Sequence, residues 1–309
     1  MSQAVAQPDG NASRQALAAG VGCYIFWGLL PALFMLMNHA GATPWEILGE
    51  RTLWAAPWAA GLVVLARQQD ELRRVLRDPR TLGLLTVSAL LIGVNWSTYV
   101  WAVGNGRTLD AALGYYIIPL FNMAVGALMF RERIDRFGLV AIALAAIGVA
   151  VQTAAVGKLP LISLVLAISF GGYGVIRKQV RAEAQTGLFV ECALMSIPGL
   201  ICVLWLHHAG GGVAWRGVGP TLLLAITGPA TVVPLALFSW AARRLPLSTV
   251  GFLQFIGPTM SFFVGLYAGE TMTPLRALSF VFIWAGAAAF AWGAWRAGRR
   301  AALAAPATA

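Results

Sequence analysis

The chain has 309 residues, of which 59% are hydrophobic and only 11% are charged, and its formal net charge is +10. Soluble domains carry about 25% charged residues. A water-soluble globule of this composition is excluded, because it would have to present a mostly wetted exterior.

In chain order, helices are expected over 17–37, 44–66, 81–103, 111–130, 137–155, 160–177, 187–206, 219–241, 247–268 and 275–296. Each approaches the roughly 20 apolar residues that a helix needs to cross a ~30 Å hydrocarbon core. None alternates polar and apolar residues as a barrel strand does, and a helix satisfies its own backbone in lipid. The fold class expected is therefore an all-α integral membrane protein with ten transmembrane helices, and 1–16 and 297–309 are left as tails. The first apolar run is too long for a signal-peptide core and is followed by further spans, so it is read as a retained helix.

An even number of spans puts both termini on one side. With that side cytoplasmic, the inner segments hold Arg14, Arg67, Arg73, Arg74, Arg77, Arg80, Arg131, Arg133, Arg136, Arg177, Lys178, Arg181, Arg243, Arg244, Arg296, Arg299 and Arg300. The outer segments hold only Arg107, Lys158, Arg216 and Arg276. This is the positive-inside bias of a multi-pass protein of the plasma (inner) membrane with cytoplasmic termini. The basic excess records orientation and does not call for a nucleic-acid partner.

Catalytic sets are absent from the sequence. There is no His-Glu-x-x-His, no Gly-x-Ser-x-Gly and no Walker motif. No enzyme activity, cofactor or metal is expected. Cys23, Cys192 and Cys202 lie inside expected helices, an odd apolar set that is neither a disulfide framework nor a metal site.

Charge is concentrated at PWEILGER, residues 44–51. Thr43, Pro44 and Glu46 fit a helix start with a capping box. Glu50 and Arg51 lie deeper, Arg51 ~10 Å beyond Pro44. An arginine at membrane depth faces a cavity or a partner, or snorkels to the headgroups. Glu46, Glu50 and Glu191 are candidates for proton coupling. Asn95 and Tyr99 share a helix face and, with Trp96, suit a mixed polar and apolar ligand. Tyr115, Tyr116, Asn122, Gln254, Trp27 and Tyr173 join them as candidate substrate contacts. Interhelical hydrogen bonding and aromatic packing are the competing reading of all of these. Pro119 and Pro258 interrupt helices at matching places and are candidate helix breaks for gating. Ala285, Ala289 and Gly293, with Ala141 and Ala145, have the spacing of close helix contacts, within the fold or in a homodimer.

The two halves repeat. ALGYYIIPLFNMAVGALMFRERI (112–134) resembles TVGFLQFIGPTMSFFVGLYAGETM (249–272), each with a glycine-aromatic start, a proline and a terminal glutamate. Trp101 matches Trp240, Phe26 faces Phe170, and Glu46 faces Glu191. Two five-helix repeats, 17–155 and 160–296, must sit inverted in the bilayer, because five is odd. Inverted repeats with a midplane site are a common architecture of secondary transporters.

These features resemble the EamA repeat of the drug/metabolite transporter superfamily. GYYIIP…FRERI, GFLQFIGPT…GE, EIL..R at 46–51 and AEAQTG at 182–187 look like its RarD branch. Phe130-Arg131-Glu132-Arg133 departs from the family's usual Gly-Glu-Arg. The resemblance implies ten helices, two inverted repeats, a central cavity and export of small metabolites, amino acids or drugs by alternating access. The partners expected are a small-molecule substrate and membrane lipid. A lipid-translocating protein or a non-transporting membrane subunit is the alternative.

Overall fold

The structure is a computed structural model and describes residues 10–130, 135–214, 216–242, 244–245 and 253–304. Every regular element among the described residues is a helix. They are α1 (Gly10–His39), α2 (Pro44–Leu65), α3 (Gln69–Arg77), α4 (Pro79–Gly104), α5 (Thr108–Phe130), α6 (Arg136–Val156), α7 (Leu161–Gln179), α8 (Ala184–His208), α9 (Val218–Ala225), α10 (Thr227–Ala242), α11 (Ile256–Tyr267) and α12 (Pro274–Ala304).

Among the described residues, six stretches are long and apolar enough to cross a membrane: Arg14–His39, Pro79–Gly104, Arg136–Ala154, Ala184–His208, Val218–Phe238 and Pro274–Gly293. Three further apolar helices are shorter, at Thr108–Phe121, Leu161–Arg177 and Ile256–Tyr267. The helix Pro44–Leu65 stands apart because Glu46, Glu50 and Arg51 occupy its first turns, and all three are buried. Large apolar side chains such as Leu90, Ile201, Trp205 and Leu222 face outward. An exterior of this kind suits hydrocarbon.

Several boundaries differ from the sequence reading. The span expected at 219–241 is two helices, α9 and α10, that meet at Ile226. Pro229 lies just beyond, and a proline lacks the N–H that would bond one turn back. α12 continues past the expected 296 to Ala304, and α1 starts earlier, at Gly10. The first part of the span expected at 247–268 lies outside the described residues, and α11 starts at Ile256. The basic segment 67–80 contains an unexpected helix, α3. Its Val75 is buried against Leu85 and Val190, while Arg73 pairs with Asp70 and Arg74 with Glu71 along its outer face. Acidic residues at its start and arginines at its end suit the helix dipole. Asp78 then caps α4, accepting from the Thr81 hydroxyl and the Arg80 N–H. The Thr81 hydrogen bond is the main cause that holds its carboxyl below the usual range.

Packing centres on α2. It lies along α8 and also touches α10 and α4. At the α2–α8 crossing, a methyl group added at Gly49 would come within 2.8 Å of Val203 and 3.1 Å of the Gly199 carbonyl oxygen. Thr52 and the Gly49 carbonyl crowd Gly199 in turn. Small residues let two backbones approach this closely where dispersion, not exclusion of water, drives association. The ends of the pair are tied as well. Near the start of α8, the Gln68 side-chain Oε1 accepts from Thr186 N–H and hydroxyl, and Glu71 accepts from Glu183 N–H. At the opposite end Glu46 accepts from the Val213 and Ala214 N–H groups. The chain turns from α2 into α3 at Arg67, which sits at φ 54°, in the left-handed region that normally favours glycine.

The other close pairs are α6 with α12, α4 and α5 with α7, and α1 with α10 and α11. The α6–α12 contact uses Gly286 against the Ala141 carbonyl and Gly148 against Ile283. Ala141 and Ala145 are thus consumed inside the fold, as one of the two sequence readings has it, whereas Ala285 points outward.

Gly199→Leu should lower the thermal midpoint of the purified protein by an amount equivalent to about 1–3 kcal/mol, the usual cost of overpacking. Gly61→Leu on α2, where an added methyl meets nothing within 4 Å, should leave it unchanged. Equal effects of the two substitutions, measured by differential scanning fluorimetry, would contradict the crossing as the tight contact.

Candidate functional site

Arg51 leaves α2 about two turns from its start and reaches into the bundle. Its guanidinium lies 4.2 Å from the centroid of the Trp96 ring and 5.7 Å from that of Phe34. Its Nε donates to Thr231 Oγ1 on α10 at 2.9 Å. The Thr231 hydroxyl donates in turn to the Thr227 carbonyl at 2.8 Å, which leaves its lone pairs for Arg51. Arg51 is 5% exposed. Among the described residues no carboxylate pairs with it, and neither of its terminal nitrogens has an acceptor. Glu50, its neighbour in sequence, points elsewhere, and its Oε2 accepts from Trp54 Nε1 at 2.9 Å.

α4 supplies the next layer. Asn95, Trp96 and Tyr99 project on neighbouring rows of one helix, as the spacing predicts. Tyr99 meets Phe34 edge-on at 6.1 Å and Tyr115 edge-on at 5.3 Å. The Tyr115 hydroxyl donates to Asn95 Oδ1 at 2.9 Å. Asn95 Nδ2 donates to the Leu166 carbonyl and to Ser169 Oγ on α7. A buried amide satisfied on both sides fixes the orientation of the tyrosine beside it.

The aromatic run continues through Phe170 to Tyr173, with centroids 6.2 and then 5.8 Å apart. There it meets the second charged centre. Tyr173 donates to Glu191 Oε2 at 3.2 Å, Ser88 donates to Oε1 at 2.5 Å, and Arg177 Nη1 lies 3.6 Å from Oε1. Glu191 is 3% exposed. Arg51 and Glu191 therefore stand at opposite ends of one line of aromatic contacts and do not pair with each other.

The remaining sequence candidates disperse. Glu46 is a structural clamp: Thr43 caps its N–H at 3.2 Å, but its carboxylate reaches the 213–214 backbone instead of closing a capping box. Trp27 packs with Tyr24 and Phe238. Tyr116 faces away from Tyr115, toward Phe255 and the Thr259 hydroxyl at 2.5 Å. It lines an apolar groove of about 390 Å³ with Phe263 and Trp284. Gln254 lies in the turn that precedes α11, so Pro258 opens that helix, while α5 runs unbroken through Pro119. The Asn122 side chain lies outside what is described.

Phe34, Thr231, Ser88, Ser169 and Arg177 were not legible as site residues. Three of them are hydroxyls that a helix absorbs without disturbing its apolar pattern. Arg177 reads as one more inner-face charge. Asp110, at the other end of the bundle, bridges Arg107 and Arg276 at 2.8 and 2.6 Å. Beside it, both Glu270 oxygens take the Thr108 and Leu109 N–H groups that open α5.

This geometry is that of a helical membrane protein with a polar, aromatic interior, and comparison with known proteins defines its class. Residues 15–153 match the EamA-like transporter family. A protein named RarD from Streptomyces exfoliatus is 42% identical over 94% of this chain and 92% of its own length. The RarD protein of Escherichia coli K12 is 38% identical over 91% of this chain and 95% of its own. An uncharacterized transporter of Vibrio cholerae is 38% identical over 95% of this chain and 97% of its own. The chain belongs to the EamA-like transporter family, in its RarD branch, and is a multi-pass membrane protein. A solved crystal structure 19% identical to it shares the fold, with a TM-score of 0.59 over 92% of this chain and 98% of that one.

Removing Glu270 leaves two helix-start donors without partners, at about 1–3 kcal/mol for such orphans. Glu270→Ala should therefore lower the thermal midpoint clearly, and Glu270→Gln, which keeps one acceptor, by less. Loss of ligand binding without loss of stability would instead make Glu270 part of the site.

Proposed function

We propose that the protein is a secondary-type transporter that exports small metabolites, amino acids or drugs. It works by alternating access to a central site between two inverted five-helix repeats, 17–155 and 160–296, in the inner membrane, with both termini cytoplasmic. The observation that carries this reading is the Arg51 cluster. A buried cation from the first half is held by Thr231 of the second, and Asn95 is held by Ser169 across the same divide.

The helix pairing supports the inverted repeat. If each helix of the first half is exchanged with its counterpart in the second, the close pairs map onto one another. α4 on α7 becomes α10 on α1, α5 on α7 becomes α11 on α1, and α2–α8 and α6–α12 map onto themselves. A fold that places two equivalent halves around one site can open to either side by rocking one against the other. Glu191 is the best candidate for proton coupling. It is buried, it is reached by Tyr173, Ser88 and Arg177, and a carboxylate at membrane depth is expensive unless it does work. Glu46, bound to loop backbone, is set aside for that role, and Glu50 is second to Glu191.

In proteoliposomes loaded with pooled labelled metabolites, the protein should give saturable flux that a pH gradient accelerates. Glu191→Gln should abolish the acceleration while solute counterflow persists. Flux no greater than in empty liposomes, from protein with an unchanged thermal midpoint, would refute the transport reading.

A further inference from the structure

Resting on the transport reading, we infer that the site selects organic anions, an aromatic or apolar body bearing a carboxylate, over cations and zwitterions. The reason lies in which charges of the interior are already spent. Five carboxylates are described in or near the bundle interior, and none is free to meet an incoming ammonium. Glu46 Oε1 accepts two backbone N–H groups and its Oε2 is sealed from solvent. Glu50 Oε2 accepts from Trp54 and its Oε1 is likewise sealed. Both Glu191 oxygens are taken by Tyr173, Ser88 and Arg177. Both Asp110 oxygens are taken by Arg107 and Arg276, and both Glu270 oxygens by the start of α5.

The cations divide differently. Arg177 and Arg276 each have a carboxylate. Arg51 has none. Its one hydrogen bond uses Nε and leaves Nη1 and Nη2, the planar fork that binds a carboxylate with two parallel hydrogen bonds. These two nitrogens lack acceptors among the described residues, yet neither is among the sealed, unsatisfied atoms of the interior. At 5% exposure the Arg51 side chain keeps only a narrow opening to accessible space. Trp96 on the guanidinium face stabilises the cation while it waits. Cation–π contact cannot substitute for a counter-ion, and a buried charge without one is the costliest group a fold can carry. An anionic ligand supplies the missing charge. Phe34 beside the guanidinium, continued by Tyr99 and Tyr115, gives that ligand an aromatic wall. A zwitterion would bring its ammonium into the same place with no acid to receive it.

The test uses purified full-length protein in nanodiscs and calorimetric titration with four probes of one shape: 3-phenylpropionate, 3-phenylpropanamide, 3-phenylpropylammonium and phenylalanine. The carboxylate should bind at least about tenfold tighter than the other three, because a site built around a charged donor rejects ligands that leave it unpaired. Arg51→Lys should keep that order with weaker binding, and Arg51→Gln should erase the difference between carboxylate and amide. Tighter binding of the ammonium or of phenylalanine, an unchanged carboxylate preference in Arg51→Gln, or binding of none of the four would each overturn the inference. The wild-type series decides the matter even where a variant fails to fold. Counterflow separates the two levels of the account. Flux of pooled solutes with a cation or zwitterion preference removes only the anion inference, whereas carboxylate binding without any flux removes only the transport reading.

Discussion

In a bilayer a polar group has no water to fall back on, and the interior of this protein is organised by that fact. Each buried polar side chain described above either closes a hydrogen bond within its own helix or ties two helices together. Thr52 closes on its own helix, on the Gly49 carbonyl, and Thr227 closes on the Leu224 carbonyl one turn back, whereas Asn95, Glu46, Glu191 and Glu270 are ties. The ties are few and each matters, because lipid gives no hydrophobic drive for helices to associate. Close packing at Gly49 and Gly199 and hydrogen bonds across helix ends carry the assembly instead. Arg51 is a tie as well, from α2 to α10, but of a different kind. It is buried, it carries a full charge, and its partners are a hydroxyl and two aromatic faces.

The ties are also unevenly distributed. The α2–α8 pair is clamped at both ends and along its middle, so α2 is a fixed post. Arg51 stands on that post, yet its hydrogen bond goes to α10. Trp96 and Tyr99 come from α4, which touches α2 more lightly. A buried cation on a clamped helix, facing side chains from α4 and α10, is what the proposed transport reading asks of a central site. Two polar clusters flank this centre along the bundle, Glu191 with Arg177 on one side and Asp110 with Arg276 on the other. Each pairs groups from two helices.

Much of this was legible in the sequence because lipid imposes simple rules. Runs of apolar residues marked most helices, and the distribution of arginine suggested their orientation. The charges at 46–51 stood out for the same reason that they matter: a chain that avoids charge places it only where the fold can use it. Trp96 can be picked by type and lies on the Arg51 guanidinium, while Asn95, Tyr99 and Tyr115 form the layer beside it. Tyr116, adjacent to Tyr115, faces a different core, because successive helix residues diverge by ~100° and spacing alone does not say which faces inward. Thr231 and Phe34 were invisible, since threonine and phenylalanine occur throughout membrane helices. The helix α3 was missed because its pattern spans barely two turns. For Glu46 the sequence offers a cap or a proton-coupling role; its reach to residues 213–214 depends on a contact between α2 and the segment after α8, and no local pattern carries that.

The central claim is that Arg51 and Thr231 line a pathway reached alternately from the two faces of the membrane. The most direct measurement is thiol accessibility at Thr231→Cys, with Cys23, Cys192 and Cys202 replaced, using a membrane-impermeant reagent added to one face of oriented vesicles at a time. The account predicts labelling from each face, slowed by ligand in both cases. A position 231 that only a lipid-soluble reagent reaches would contradict it, and would return the Arg51 cluster to a role in packing alone.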